Sequence, residues 1–254
     1  MSKLATAVQW VRSLVFIIVT YLAMIPIGLW FLPGALRHRD AALAACHTWC
    51  RFVRWAAPWM IGLRFEVRGT PPTEECLVAG KHQSFLDIIL IYNSIPRGKF
   101  IMKKELMKAP ILGWYAKRIG CVPVDRGKRA EAVKKMLADV ASGKADPGQL
   151  IIYPQGTRIA PGAKVKYKIG TYILYRESGQ PCYPVAANVG LYWPRRGILR
   201  NPGTAVIEFL PPIEPGLSEE AFMARLEGEI ETATDRLLIE GGFQLLDSDA
   251  GAAP

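Results

Sequence analysis

An uncharged apolar run near the start of the chain limits what the chain can fold into. From Ser13 to Pro33 the sequence reads SLVFIIVTYLAMIPIGLWFLP, without a charged side chain. About twenty apolar residues are enough to cross a bilayer as a helix. The run is long for a signal-peptide core, and no small-residue cleavage site follows it. The sequence therefore predicts a membrane-associated N-terminal segment.

A second, more amphipathic stretch rich in tryptophan and arginine follows at residues 41–63. Basic residues flank the first run on both sides, so the positive-inside rule would pull a single span in both directions. They are Lys3, Arg12, Arg37 and Arg39. We therefore expect residues 1–62 to form a helical hairpin embedded in one leaflet, with its basic and aromatic parts at the headgroups. A single span is the main alternative, ahead of a signal sequence or an apolar core helix.

Charge is unevenly distributed along the chain. Residues 81–200 hold 22 basic and 7 acidic side chains, whereas residues 201–254 hold 2 and 11. A basic middle suits an anionic partner such as a phosphate substrate, an anionic bilayer, an acidic protein or nucleic acid. Nucleic acid is the weakest of these, because the basic residues are not interleaved with the aromatic pattern that single-strand binders use.

Cysteine and histidine usage argues against a disulfide framework and a zinc site. The five cysteines are an odd number without a CxxC pair, and the chain has only three histidines. This usage fits a reducing compartment. We expect the cysteines to be buried thiols, and we predict no metal site.

Short apolar segments alternate with helical ones over residues 63–246, which predicts an α/β domain with a mixed, mainly covered sheet. The strand candidates are Leu63–Arg68, Cys76–Gly80, Lys99–Lys103, Ile119–Val124, Leu150–Tyr153, Cys182–Ala187 and Thr204–Leu210. The helix candidates are Phe85–Ser94, Lys128–Ser142, Ile169–Arg176 and Ser218–Gly241, the last with Ser218 as N-cap. Residues 247–254 are small and polar, and we expect a flexible tail there.

His82 and Asp87 are the first candidates for chemistry. They follow a short apolar strand and open a helix, where α/β sheets present ligands. Imidazole suits general-base work near neutral pH, and a carboxylate five residues on could fold back to its second ring nitrogen. The alternative is that Ser84-x-x-Asp87 is a capping box, in which Asp87 only satisfies a helix N-terminus.

Two further segments end strands with an arginine. In Tyr153–Arg158 (YPQGTR), Gly156 allows close backbone approach to a ligand, Thr157 adds a hydroxyl, and Arg158 offers a bidentate fork for phosphate. In Gly120–Arg126 (GCVPVDR), Arg126 begins a basic cluster. An ordinary turn and a solvated charge cluster are the respective alternatives.

Together these blocks resemble the lysophosphatidic acid acyltransferase family, the bacterial 1-acyl-sn-glycerol-3-phosphate acyltransferases. KHQSFLD (Lys81–Asp87) is similar to the family's His-x4-Asp block, and GCVPVDR and YPQGTR are similar to its second and third blocks. Pro184-Val185 within CYPVAANVG resembles the fourth, and MKKELMKAPILGWY between the first two blocks is also similar. The resemblance covers roughly residues 70–215, and four blocks in order are more specific than any one of them.

The resemblance implies a glycerol-phosphate acyltransferase fold, with helices flanking a mixed sheet and an N-terminal helical pair in the membrane. By position, His82 would be the base and Asp87 its partner, and Arg126, Gly156, Thr157 and Arg158 would hold the acceptor phosphate. The sequence departs from the family twice. Gln155 replaces the usual Glu but can still hydrogen-bond an acceptor hydroxyl or a backbone group. Lys81 replaces the usual Asn, and a cation there would lower the imidazole pKa or bind an acidic donor if it points inward.

The resemblance thus predicts acyl transfer from acyl-CoA or acyl carrier protein to the sn-2 hydroxyl of 1-acyl-sn-glycerol-3-phosphate, giving phosphatidic acid, without a cofactor. The expected partners are lysophosphatidic acid, the thioester donor and membrane lipids, at the cytoplasmic face of a bacterial inner membrane. Acylation of another lysolipid, such as a lyso-ornithine lipid or a lysophosphodiester, is the nearest alternative. A non-catalytic membrane-surface binding module is the alternative from a different class.

Overall fold

The computed structural model of the protein describes residues 2–124, residue 138 and residues 147–245. Within these residues a seven-stranded sheet forms the centre of the molecule. Its strands are β1 (Leu63–Arg68), β2 (Leu77–Gly80), β3 (Lys99–Lys103), β4 (Val122–Val124), β5 (Leu150–Ile152), β6 (Cys182–Ala187) and β7 (Gly203–Phe209). Every predicted strand is present, with ends shifted by at most three residues.

The sheet is mixed, as predicted. Its spatial order is β1-β7-β6-β2-β5-β3-β4. Every neighbouring pair is parallel except β6 and β7. β2, β5 and β6 therefore end at the same edge of the sheet, and their carboxyl ends carry the segments that begin at Lys81, Tyr153 and Asn188. Ligands in open α/β sheets bind at this edge.

The helices that the structure describes are α1 (Lys3–Leu22), α2 (Met24–Arg37), α3 (Arg39–Ile61), α4 (Leu86–Ser94), α5 (Leu112–Arg118), α6 (Gly170–Ser178) and α7 (Glu219–Glu240). Short 3-10 turns lie at Lys104–Lys108 and Val189–Leu191. The Ser218 side chain accepts the Ala221 N–H at 3.3 Å, so the predicted N-cap of α7 is confirmed. The predicted helix Lys128–Ser142 (apart from residue 138), Arg126 and the tail 247–254 lie outside the described residues.

The buried strands are apolar on both faces, and helices cover both faces of the sheet. Val78 and Ile151 share one core with α3 and α4, which includes residues of the N-terminal helices. Leu77 and Ile152, which alternate with them along the strands, face a second core built with α6 and α7. α7 thus packs behind the strands whose carboxyl ends carry the candidate site.

The N-terminal helices pack on the α/β domain through a polar stripe of α1. Gln9, Ser13 and Thr20, at helical spacing, are buried on this stripe together with Phe16. Gln9 donates to the Ile61 and Arg200 carbonyls at 2.9 and 2.7 Å. The Ser13 hydroxyl accepts the Arg200 N–H at 2.9 Å. The membrane-facing segment is therefore held to the domain by hydrogen bonds rather than by a flexible linker.

The opposite side of these helices is apolar and exposed. Trp30 is 82% exposed and Trp59 is 77% exposed, and many aliphatic side chains of α1 and α2 are also uncovered. By length and composition, Lys3–Arg37 is one helical stretch that could cross a membrane, and within the described ranges it is the only such stretch. α3 runs back against both α1 and α2. The insertion of these N-terminal helices into one leaflet as a hairpin stays a prediction.

Candidate active site

His82 and Asp87 are in direct contact. His82 lies two residues beyond β2, and its Nδ1 is 2.9 Å from Oδ1 of Asp87 in the first turn of α4. An ionised carboxylate can only accept, so Nδ1 carries the hydrogen and Nε2 is left with a lone pair. The Asp87 side chain is fully buried, whereas the His82 side chain is 12% exposed. The arrangement is an oriented imidazole whose free nitrogen is available as a proton acceptor.

Asp87 also organises the turn between β2 and α4. Its Oδ2 accepts the N–H groups of Gln83 and Ser84 at 2.9 and 2.7 Å. The Ser84 hydroxyl accepts the Leu86 N–H at 3.1 Å rather than that of Asp87, so the capping box is not formed in its usual reciprocal way. The two readings of Asp87 are therefore compatible, because one oxygen holds His82 and the other holds the turn.

Tyr153 fixes the plane of the His82 imidazole. This role is not evident from the sequence alone. Its ring stacks on His82 with centroids 4.0 Å apart and planes 21° apart. Tyr153 directly follows β5, the parallel neighbour of β2, so strand pairing brings the two rings together. Burial and the Asp87 carboxylate raise the pKa of Tyr153 well above its ordinary value, and nearby Arg158 offsets this only in part. The phenol is therefore neutral in the folded protein.

The predicted loop Gly156–Arg158 lies beside His82. The Ile159 N–H donates to the His82 carbonyl at 2.8 Å, which ties the end of this loop to the first motif. Gly156 has φ of 70°, in the left-handed region that favours glycine. Gly156 and Thr157 are exposed, and Arg158 is half-buried. The structure thus brings these three predicted residues to the candidate base, whereas Arg126 lies outside the described residues.

Lys81 points into the protein, toward α7. Its Nζ lies 2.6 Å from both carboxylate oxygens of Glu231 in α7, and its side chain is 2% exposed. The Lys81 ammonium is therefore occupied by a buried carboxylate, which leaves no support for the predicted substrate-binding role. The sequence carries no local sign of this pairing, because Glu231 is one of many acidic residues in a distant helix.

Gln155 belongs to the same buried cluster. Its Nε2 lies 3.5 Å from Oε1 of Glu231, and the Tyr167 hydroxyl donates to that oxygen at 2.7 Å. Gln155 is fully buried, so it faces Glu231 instead of the exposed side of the loop, and a contact with the acceptor hydroxyl has no support here. The Nε2 donor of Gln155 is thus directed into the protein, beneath the loop that carries Thr157 and Arg158, while its Oε1 makes no hydrogen bond within the described residues.

The segment that follows β6 also contacts the candidate site. The Gly190 N–H, just beyond β6, donates to Oε1 of Gln83 at 2.9 Å. Gln83 is buried and adjacent to His82. Among the residues that the structure describes, no group of three His, Cys, Asp or Glu side chains is arranged to hold a metal ion.

The chain is similar to known acyltransferases in sequence and in fold. A family model described as acyltransferase matches residues 64–188. The 1-acyl-sn-glycerol-3-phosphate acyltransferase of Pseudomonas aeruginosa is 28% identical over 210 residues, covering 81% of this chain and 82% of that protein. The 1-acyl-sn-glycerol-3-phosphate acyltransferase alpha of Mus musculus is 27% identical over 211 residues, covering 77% and 73%.

A solved structure has the same fold. The crystal structure of the 1-acyl-sn-glycerophosphate acyltransferase of Thermotoga maritima aligns with a TM-score of 0.74 at 21% identity, covering 96% of this chain and 99% of that one. The solved structure shows that the chain shares this fold. The four sequence blocks, the acyltransferase family model and the sequence relatives show that the chain belongs to the lysophosphatidic acid acyltransferase family.

Proposed function

We propose that this protein transfers a fatty acyl group from a thioester to the sn-2 hydroxyl of 1-acyl-sn-glycerol-3-phosphate, which yields phosphatidic acid. The observation that carries the proposal is the contact between His82 Nδ1 and Asp87 Oδ1, which leaves Nε2 free beside the loop of Gly156–Arg158. A base next to a cationic loop suits a substrate that carries both a hydroxyl and a phosphate. The names of the relatives point to the same acceptor.

In the first step, Nε2 of His82 takes the proton from the acceptor hydroxyl as its oxygen attacks the thioester carbonyl. A C–O bond forms, and the carbonyl π electrons move to the oxygen of a tetrahedral intermediate. The imidazolium that results is stabilised by the Asp87 carboxylate at 2.9 Å, which is itself held by two backbone N–H groups. Stacking on Tyr153 keeps the ring in place during the transfer.

In the second step, the intermediate collapses and the C–S bond breaks. The departing thiolate takes the proton from His82, so the histidine returns to its neutral form and the protein regains its starting charge. A thioester carbonyl is already activated toward oxygen nucleophiles, so this route needs no resident cofactor beyond the acyl-CoA or acyl carrier protein that brings the acyl group.

Arg158 is assigned to the acceptor phosphate, with the Gly156 and Thr157 backbone and the Thr157 hydroxyl as further donors. A guanidinium can bind phosphate through two parallel hydrogen bonds. Arg126 completes this set by its position in the second block.

The protein would work at a membrane surface, which we place at the cytoplasmic face of a bacterial inner membrane. The exposed apolar side of α1 and α2 supports membrane association. The five cysteines form no disulfide with one another, which supports a cytoplasmic location. In this arrangement the lysophosphatidic acid enters from the leaflet and the donor from the aqueous side.

Another lysolipid, such as a lyso-ornithine lipid or a lysophosphodiester, is the second candidate acceptor. Gln155 supports this second candidate, because most family members have Glu at that position and the acceptor could differ accordingly. Purified protein offered a panel of lysolipids with one acyl-CoA distinguishes these acceptors by the rate of thiol release.

Replacement of His82 tests the proposed chemistry. We expect His82→Ala to abolish thiol release from acyl-CoA and from acyl carrier protein in the presence of lysophosphatidic acid, with vesicle binding unchanged. His38→Ala is the matched control, because His38 is exposed on the turn between α2 and α3. Turnover of His82→Ala near that of the wild type would rule out the mechanism. Vesicle binding by the wild type without any thiol release would favour the non-catalytic module.

A further inference from the structure

We propose that Lys168 supplies a further cation to the phosphate of the acceptor, beside Arg158. This inference rests on the proposed function, since it assigns a residue to the phosphate of that substrate. Lys168 lies outside the four sequence blocks, ten residues beyond Arg158. The fold returns it to the loop Gly156–Arg158.

Backbone and side-chain contacts on both sides of Lys168 fix its position. The Lys168 N–H donates to the Pro154 carbonyl at 2.9 Å, within the YPQGTR segment. The preceding Tyr167 is buried, and its hydroxyl donates to Glu231 at 2.7 Å. The Lys168 carbonyl accepts the Thr171 N–H at 3.1 Å at the start of α6. The lysine therefore projects from an ordered backbone.

The Lys168 side chain lies along the loop of the candidate site. A Cβ atom placed on Gly156 would lie 2.7 Å from Nζ of Lys168 and 3.0 Å from its Cε. A Cβ at this position would crowd the ammonium, although the flexible end of Lys168 could move aside. The left-handed backbone of Gly156 is the stronger reason for glycine there. The ammonium thus lies against the residue two positions before Arg158.

The charge of Lys168 is available to a ligand. Lys168 is exposed, and in the described part of the chain its ammonium has no acidic partner. Two other lysines of this region are paired: Lys164 lies 3.5 Å from Asp235, and Lys81 is paired with Glu231. A phosphate monoester carries between one and two negative charges near neutral pH, so two cations on one loop suit it better than one.

Steady-state kinetics of Lys168→Met test this assignment. We expect the KM for lysophosphatidic acid to rise about tenfold, as for the loss of one charge-assisted contact at a partly solvated site, with the KM for acyl-CoA unchanged. Lys168→Arg should restore most of the lost affinity. The matched control is Lys166→Met, two residues earlier and also exposed, which should leave both KM values unchanged. Activity on 1-acylglycerol, which has no phosphate, should be equal for the wild type and Lys168→Met.

Two outcomes would overturn the inference. If the KM for acyl-CoA rises and that for lysophosphatidic acid does not, the cation serves the phosphates of the donor. If neither KM changes, Lys168 is a solvated surface residue. Failure of the proposed function is distinguishable from both, because the wild type itself would then release no thiol with lysophosphatidic acid.

Discussion

The Lys81 ammonium lies 2.6 Å from each carboxylate oxygen of Glu231, and this ion pair joins the segment Lys81–Asp87 to α7. The Lys81 side chain is 2% exposed and that of Glu231 is 14% exposed. Glu231 also accepts from Tyr167 and lies within reach of Gln155. One carboxylate from the C-terminal helix therefore contacts residues adjoining both His82 and the loop Gly156–Arg158.

Breaking this pair from one side should be strongly destabilising. Lys81→Met leaves a largely buried carboxylate without its cation, and we expect it to lower the free energy of unfolding by about 3–5 kcal/mol. Glu231→Gln should have a similar cost. The double variant Lys81→Met/Glu231→Gln removes both charges and should recover most of the loss. Denaturation of all four proteins in detergent measures the coupling, and strictly additive losses would contradict it.

Moving the carboxylate tests the link to the site more directly. Gln155→Glu combined with Glu231→Gln keeps one negative charge in the cluster but relocates it to the YPQGTR segment. We expect this double variant to be more stable and more active than either single variant, because each single variant leaves the Lys81 charge unbalanced or adds a second carboxylate. Measured kcat and unfolding free energy should recover together; a double variant worse than both singles would show that the position of the carboxylate matters more than the charge balance.

Asp87 contacts a residue close to it in sequence, whereas Glu231 contacts a residue far from it. This difference in sequence separation explains which contacts could be predicted from sequence. His82 and Asp87 are five residues apart across one turn, so local chain geometry decides whether they meet. The strand-to-helix pattern made their contact possible and left a capping role for Asp87 as the alternative. Lys81 and Glu231 are 150 residues apart, and their contact depends on how α7 packs across the sheet. Most of the short strands were recognisable as continuous apolar runs, because both of their faces are buried. The stacking of Tyr153 on His82 depends on strand order, and the contact of Lys168 with Gly156 depends on how the loop between β5 and α6 folds back on itself. A single sequence specifies neither.

Asp87→Asn should impair chemistry more than binding. An amide has donor hydrogens where the carboxylate only accepts, so it cannot hold both His82 Nδ1–H and the two backbone N–H groups as Asp87 does. We expect kcat to fall by about 10³-fold or more, because the imidazole loses its tautomer and its charge partner. KM for lysophosphatidic acid should change little.

Ser84→Ala is the control for the structural part of the Asp87 role. It removes the hydroxyl that accepts the Leu86 N–H but leaves the carboxylate in place. A loss of about 1 kcal/mol in stability with nearly normal kcat is expected. If Ser84→Ala lowered kcat as much as Asp87→Asn, the turn rather than the charge of Asp87 would be what matters.

The phenol of Tyr153 should affect stability at high pH without affecting catalysis. Burial raises its pKa well above the ordinary value of 10.0, and Asp87 raises it further. The unfolded chain therefore loses this proton at a lower pH than the folded protein, so stability is full below about pH 10 and falls as the pH rises above it. Tyr153→Phe removes the titration and should weaken this fall by about 1.4 kcal/mol per pH unit.

The kinetic counterpart separates ring from hydroxyl. Tyr153→Phe keeps the surface that stacks on His82 at 4.0 Å, and kcat should stay within a few-fold of the wild type. Tyr153→Leu removes the stacked ring, so kcat should fall further because the imidazole plane is less constrained. Unfolding curves at pH 8 to 11 and kinetics at pH 8 give both readouts. Equal losses of kcat in the two variants would assign a role to the hydroxyl.

Membrane association should depend on an aromatic and basic surface on α3 and β1. A cleft of about 390 Å³ is lined by Arg51, Arg54, Trp55 and Arg64, and Trp59 is exposed one turn from Trp55. Arginine and tryptophan together suit the headgroup region of an anionic bilayer.

Arg51→Gln/Arg54→Gln/Arg64→Gln should reduce binding to vesicles that contain anionic lipid, and added salt should reduce wild-type binding in the same way. Trp55→Ser/Trp59→Ser should reduce binding to neutral vesicles as well, because it removes apolar contact area rather than charge. Arg176→Gln, on the distant surface of α6, serves as the charge control. Vesicle sedimentation gives the bound fraction for each protein, and equal losses for the arginine variant on neutral and anionic vesicles would contradict an electrostatic role.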